Sequence, residues 1–216
     1  MNRDYKEQES LNYSNVIAFL ADLFKRRGQE EYLGEPVTMA EHMLQAALFA
    51  TQANESEAVV VASLLHDIGH FTSDLGTFSM GDTDDKHHES AGADVLRHFF
   101  PPLVTDCVRY HVDAKRYLCA VDADYYALLS PASVHSLKLQ GGVMSALEIT
   151  NFEKNPNLQA IVLVRRYDDQ GKLTNLATPP FGHYVPALER VVAAHCKSAR
   201  LCSQAKACGP TPAPGD

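Results

Sequence analysis

The chain has 216 residues, 45% of them hydrophobic, and a formal net charge of -8 at pH 7. That length can bury one substantial core, so one domain is expected; the acidic balance excludes a general nucleic-acid surface, which needs concentrated Lys and Arg. Cys107, Cys119, Cys196, Cys202 and Cys208 form an odd set with no CxxC pair, which speaks against a disulfide framework or thiolate zinc site and for a reduced cytoplasm, while the charged first ten residues and the lack of any run near the roughly 18 apolar residues of a membrane span exclude secretion and insertion.

Asn15 to Arg27 carries Val16, Ile17, Leu20, Leu23 and Phe24 at helical spacing, one buried stripe. Gly28 to Thr38 holds Gly34 and Pro36 and presents Tyr32 and Glu35 in a loop. Thr38 followed three residues later by Glu41 is a capping-box pattern that opens a helix over Met39 to Gln52. On it Val37, Ala40, Leu44, Ala47 and Leu48 share a face, and His42 lies off that stripe with Ala46 and Phe49.

The stretch Leu64-Leu65-His66-Asp67-Ile68-Gly69-His70 organises the chain. The run before it, Glu57 to Leu65, is free of Gly and Pro and predicts a buried helix ending near Gly69. A His-Asp pair there must be partnered or metal-bound, because an unpartnered buried charge costs several kcal/mol. Helical neighbours point about 100° apart, which suits an Asp reaching one ion on its His side and a second beyond.

Thr72 to Lys86 is polar and reads as a mobile loop. Helix signals resume at His87-His88 and run through Val95, Leu96 and Phe99 to Pro101-Pro102; a further helix, Leu103 to His111, is expected, with Lys115 one turn beyond His111. Ser130 to Gly142, carrying Ser133, His135 and Lys138, reads as a connection. Asn157 to Asp169 is a buried helix that delivers Arg165 and Asp168, spaced i and i+3, at its far end. His183 to Ala207 is a last, peripheral helix, and residues 209–216, with three prolines, a frayed tail. The reading is all-α, one domain over residues 1–208 with its core over about 32–184. Taken singly, His42 reads as a hydrogen-bonded core histidine, Lys115 as a solvated lysine and the Arg165–Asp168 pair as a helix cap.

The order His42, His66-Asp67, His88, His111, Asp168 resembles the HD-domain metalloprotein superfamily, an all-helical bundle whose pattern is a His, the His-Asp pair, two further His and a late Asp. His88 matches the family's H-x-x-x-G segment through Gly92, with His87 as the fallback. The resemblance implies that His42, His66 and Asp168 hold one metal, His88 and His111 the other, and Asp67 bridges; an N/O donor set without sulfur suits borderline or hard divalent ions. Most of the superfamily are phosphohydrolases, and a smaller branch uses two irons to activate O2.

The surrounding residues resemble the phosphonate-cleaving branch: Tyr32-Leu-Gly-Glu35, His70, Lys115, Ser133 and Arg165. That resemblance implies a mixed-valent Fe(II)/Fe(III) pair and cleavage of the carbon–phosphorus bond of a 1-hydroxy-2-aminoethylphosphonate or its N-trimethyl form. His70, Lys115, Ser133 and Arg165 would bind substrate, and Tyr32 and Glu35 would form a gate. Two cations and two neutral donors are what a phosphonate needs. Glu41 departs from the glutamine of the aminophosphonate enzymes, and a further negative charge near the substrate nitrogen, with Tyr32, Phe71 and Phe78 as aromatic neighbours, favours the trimethylammonium substrate. The alternatives are a metal-dependent phosphohydrolase acting on a nucleotide or phosphate monoester, and a regulatory module without catalysis.

Overall fold

A computed structural model of the protein describes residues 11–32, 34–73 and 81–207. Among them it has eleven helices and, apart from one bridge between Glu31 and Thr38, no strand pairing; the fold is all-α. The helices are α1 Val16–Arg27, α2 Met39–Gln52, α3 Glu57–Leu65, α4 Gly69–Thr72, α5 His88–Leu96, α6 Pro102–Val121, α7 Tyr125–Leu128, α8 Pro131–Leu139, α9 Ala146–Phe152, α10 Leu158–Gln170 and α11 Phe181–Ala207. One hydrophobic cluster runs from Val16 to Val192. No helix among the described residues is long and apolar enough to cross a membrane.

Local chemistry starts the helices where it should. Thr38 and Glu41 form a reciprocal capping box at α2, and Ser56 and Ser130 accept from backbone N–H groups at the starts of α3 and α8; such caps satisfy donors that a helix start leaves open. The buried face of α2 is His42, Met43, Ala46, Ala47 and Ala50, with Gln45. The expected stripe is therefore rotated: Leu44 and Leu48 are only partly buried, because α2 faces both α3 and α10.

Three segments depart from the expected layout. The helix bearing His66 stops at Leu65, and bonds from Ile68 N to Leu65 O, His70 N to Asp67 O and Phe71 N to Ile68 O, each 3.0 Å, carry the His-Asp pair through a tight turn into α4. The helix expected to end at His111 continues to Val121, since Val104, Val108, His111, Lys115 and Leu118 keep one buried face across the polar run. The expected connection from Ser130 is α8, with Ser133 on its inner side. Part of the expected mobile loop, residues 74–80, and the expected tail lie outside the described residues.

Candidate metal centre and anion cavity

The helical core converges on six side chains. Nε2 of His42 lies 2.9 Å from Nε2 of His66, and Nε2 of His88 lies 3.1 Å from Nε2 of His111. Asp67 stands between the two pairs: its Oδ2 is 3.3 Å from both His42 and His66, its Oδ1 3.3 Å from both His88 and His111. Asp168 completes the first group, with Oδ1 3.4 Å from His42 and 3.8 Å from His66. Two groups that could each hold a metal result, His42–His66–Asp168 and Asp67–His88–His111. The exposed fallback His87 belongs to neither; it sits with Asp85 and Glu89.

Hydrogen bonding argues that these groups are built for cations. Nδ1 of His42 donates to Gly171 O at 2.9 Å, Nδ1 of His66 to Ser63 O at 2.8 Å and Nδ1 of His111 to Val108 O at 2.7 Å. A ring whose Nδ1 carries the proton presents a lone pair at Nε2. Lone pairs of His42 and His66 then face each other and the carboxylates, and Asp67 Oδ2 and Asp168 Oδ1 are buried with no hydrogen-bond partner. Only positive charge between them reconciles this arrangement. Without an ion, protons take that role: burial alone would depress His66, but Asp67 and Asp168 lift it to about 9. Donor atoms placed cis around a six-coordinate ion with bonds of about 2.1 Å lie about 3.0 Å apart, close to the spacings found, so the residues fit two metal ions.

Beside the metal groups is a cavity lined by Tyr32, Glu35, His70, Lys115, Ser133, Arg165 and Lys172. The Tyr32 ring stacks on His42 at 3.8 Å between centroids and is buried; burial and the charges of Asp67 and Asp168 hold its phenol well above the usual range. The loop that carries it is tied back on itself through Tyr32 N to Val37 O and Glu35 N to Tyr32 O. His70 stacks on His88 at 4.0 Å; neither of its buried ring nitrogens has a hydrogen-bond partner, and Nε2 lies 3.9 Å from Asp67 Oδ1. Lys115 Nζ donates to Ser136 Oγ at 2.7 Å and Gln140 Oε1 at 2.6 Å; burial and the charge of Arg165 lower it to about 7.

Three expectations for this site change. Glu41 is exposed, accepts from Thr38 N at 2.7 Å in the α2 capping box and does not line the cavity. Phe71 packs edge-on against Phe24 away from the cavity, and Phe78 lies outside the described residues; Tyr32 is the aromatic wall. Arg165 is already paired, with Asp168 Oδ2 at 2.7 Å and with Asp169, so it braces a carboxylate of the first metal group as well as facing the cavity. Sequence reasoning missed Lys172, although it stands four residues after Asp168, the same spacing that linked Lys115 to His111. It also missed Ser136 and Gln140, which hold Lys115 from α8 and its C-terminal end.

The HD domain family model matches residues 39–140. A [1-hydroxy-2-(trimethylamino)ethyl]phosphonate dioxygenase (glycine-betaine-forming) from Leisingera caerulea is 58% identical over 185 residues, 86% of this chain and 94% of that protein. The chain belongs to the HD-domain family, in its phosphonate dioxygenase branch. The hydroxymethylphosphonate dioxygenase of Gimesia maris is 42% identical over 80% of this chain and 86% of its own length. An uncharacterised protein of Acanthamoeba polyphaga mimivirus is 33% identical over 84% and 87%. The HD-domain match begins at the first residue of α2 and ends just past α8, so it contains His42, the His66-Asp67 turn, His88, His111, Lys115 and Ser133 but stops before α10 with Arg165 and Asp168.

Proposed function

We propose that this HD-domain protein is a di-iron oxygenase that cleaves the carbon–phosphorus bond of 1-hydroxy-2-(trimethylammonio)ethylphosphonate with O2, giving phosphate and glycine betaine. The observation that carries the reading is the joint occurrence of two metal groups and an adjoining cationic cavity in a chain 58% identical to an enzyme of that name. Each group offers two His and one carboxylate, the donor set of non-haem iron sites that activate oxygen. The continuous core from Val16 to Val192 supports reading residues 1–208 as a single HD domain.

His42, His66 and Asp168 would hold one iron, His88 and His111 the other, and Asp67 would bridge. When bound, the irons supply the redox chemistry that activates O2. The chain does the rest by position and charge. Lys115 and Ser133 bind the phosphonate oxygens, His70 contributes an unspent ring nitrogen beside them, and Arg165 keeps Asp168 ionised and aimed. Tyr32, stacked on His42, covers the first metal group until substrate displaces it, which keeps solvent off an empty site. Glu35 and the Tyr32 ring are the cavity groups with charge and π-face suited to a quaternary ammonium.

The test is oxygen uptake and phosphate release with a panel holding the trimethylammonium substrate, its primary amine and a phosphate monoester. Oxygen-dependent phosphate release, fastest with the trimethylammonium compound, is expected. Preference for the primary amine would move the substrate within the family, and oxygen-independent hydrolysis of the monoester would replace the reading with a phosphohydrolase.

Lys115→Ala is expected to weaken substrate binding by about 1.5–3 kcal/mol, the scale of hydrogen bonds to charged groups, with iron content unchanged. Because burial brings Lys115 down to about 7, it is charged below that pH and neutral above it. Affinity for sulfate, which does not titrate in this range, should therefore fall from pH 6 to pH 8 in the wild type and stay flat in Lys115→Ala. Calorimetry checks both, and equal slopes would take Lys115 out of the anion pocket. Arg165→Ala should differ by costing iron too, since it strips Asp168 of its partner.

A further inference from the structure

We propose that Lys172 is a substrate-binding cation of this cavity, paired with Glu35 while the gate is closed and transferred to the phosphonate when substrate enters; this rests on the phosphonate reading above. Three of the cations lining the cavity, Arg165, Lys115 and Lys172, are not equivalent. Arg165 is neutralised by Asp168 and Asp169, and Lys115 is held by two neutral oxygens. Lys172 is intermediate: its Nζ donates to Ser133 Oγ at 3.0 Å and stands 3.5 Å from Glu35 Oε1.

The backbone holds Lys172 on both sides. Gly171 O accepts from His42 Nδ1 at 2.9 Å, and a Cβ on Gly171 would meet the His42 carbonyl at 2.9 Å and its ring at 3.0 Å. On the other side the Gln45 side-chain amide both donates to Leu173 O at 2.8 Å and accepts from Leu173 N at 2.9 Å. The backbone of the residue between these two attachments is therefore fixed to α2 and to a metal-group histidine, and its side chain reaches the cavity, where Nζ meets Ser133 Oγ. Anchoring the segment at this point removes the loop-ordering part of the cost of binding a ligand there.

Its present partner is loose. Glu35 Oε1 also accepts from Ser130 Oγ, so Ser130 and Lys172 share one carboxylate oxygen, and the Lys172 contact at 3.5 Å is longer than the 2.7–2.9 Å of a tight charge-assisted bond. A phosphonate has three oxygens and more charge than a carboxylate, and Ser133, already bonded to Lys172, faces the same space. Exchange of Glu35 for phosphonate on Lys172 would free Glu35 for the substrate's cationic end, so the anionic and cationic halves of one molecule would be recognised together. A ligand lacking the anion leaves the Glu35–Lys172 pair in place.

Calorimetric titration of iron-loaded protein with methylphosphonate under argon tests this without turnover. Lys172→Met should weaken binding by about tenfold or more, the loss of a charge-assisted bond. Glu35→Gln should tighten it severalfold by removing the competitor, and should have no effect in the Lys172→Met background. Lys172→Arg should keep most of the affinity, and iron content and melting temperature read in each variant separate binding from folding. Unchanged affinity in Lys172→Met, or a Glu35→Gln effect that persists without Lys172, overturns the proposal. Wild-type protein that binds methylphosphonate but neither consumes oxygen nor releases phosphate from the panel sinks the proposed reaction and leaves the Lys172 assignment standing; wild-type protein that turns over the panel but does not bind methylphosphonate overturns the Lys172 assignment alone.

Discussion

Asp67→Ala is expected to lose both metals and all oxygen-dependent phosphate release. Its two oxygens each stand 3.3 Å from a pair of histidines, one pair per group, so it is the residue common to both. Removing it leaves four imidazoles around a buried space with one carboxylate fewer, and the positive charge of two ions would then be poorly matched. His111→Ala, which touches one group, should lower iron chiefly by one ion. Iron analysis of purified protein checks the pair: two irons per chain in Asp67→Ala would end the bridging assignment, and equal loss in both variants would make the groups one cooperative unit.

The second large effect is expected from Gly69→Ala, a change of one methyl group that touches no metal donor. A Cβ on Gly69 would lie 1.7 Å from the His88 carbonyl oxygen and 2.8 Å from Gly92 N, so it collides with the backbone of α5 rather than with a movable side chain. α4 and α5 must separate, and α5 carries His88. The cost is placed at about 3 kcal/mol, the upper part of the overpacking range, which for a chain of roughly this size lowers the melting temperature by roughly 6–12 °C. The metal of the Asp67–His88–His111 group should be lost before the other. A melt and iron content equal to wild type would show that α5 yields freely and that its close approach to α4 positions nothing.

Much of this was readable in advance because the chain spells its ligands with local signals. Thr38 and Glu41 announce α2, and the apolar run of α3 leads straight to His66 and Asp67, so the order of donors survives even where helix limits shift. The limits shifted where polarity misled. Asp113, Lys115 and Arg116 look like the end of a helix, yet every third or fourth residue from Val104 to Leu118 stays buried, and Lys115 is inside because α8 supplies oxygens to it. α8 itself is Ser- and Lys-containing and weakly apolar, with only a Ser130 cap and Pro131 to mark it. Pairing across the fold left no sequence trace: that Lys115 is held by Ser136 and Gln140, and that Lys172 meets Glu35, each depend on which element lies opposite.

The unbroken course of α6 through His111 and Lys115 gives the site a ruler. Four residues of helix rise about 6 Å, and no hinge interrupts them, so the separation between His111 in the metal-group core and Lys115 at the cavity is set by one turn of rigid backbone. On the proposed reading, a substrate homologue with extra methylenes between its reacting carbon and phosphorus would have to surrender the metal group or Lys115. Chain length between carbon and phosphorus, rather than bulk at the nitrogen end, is what this helix would then measure.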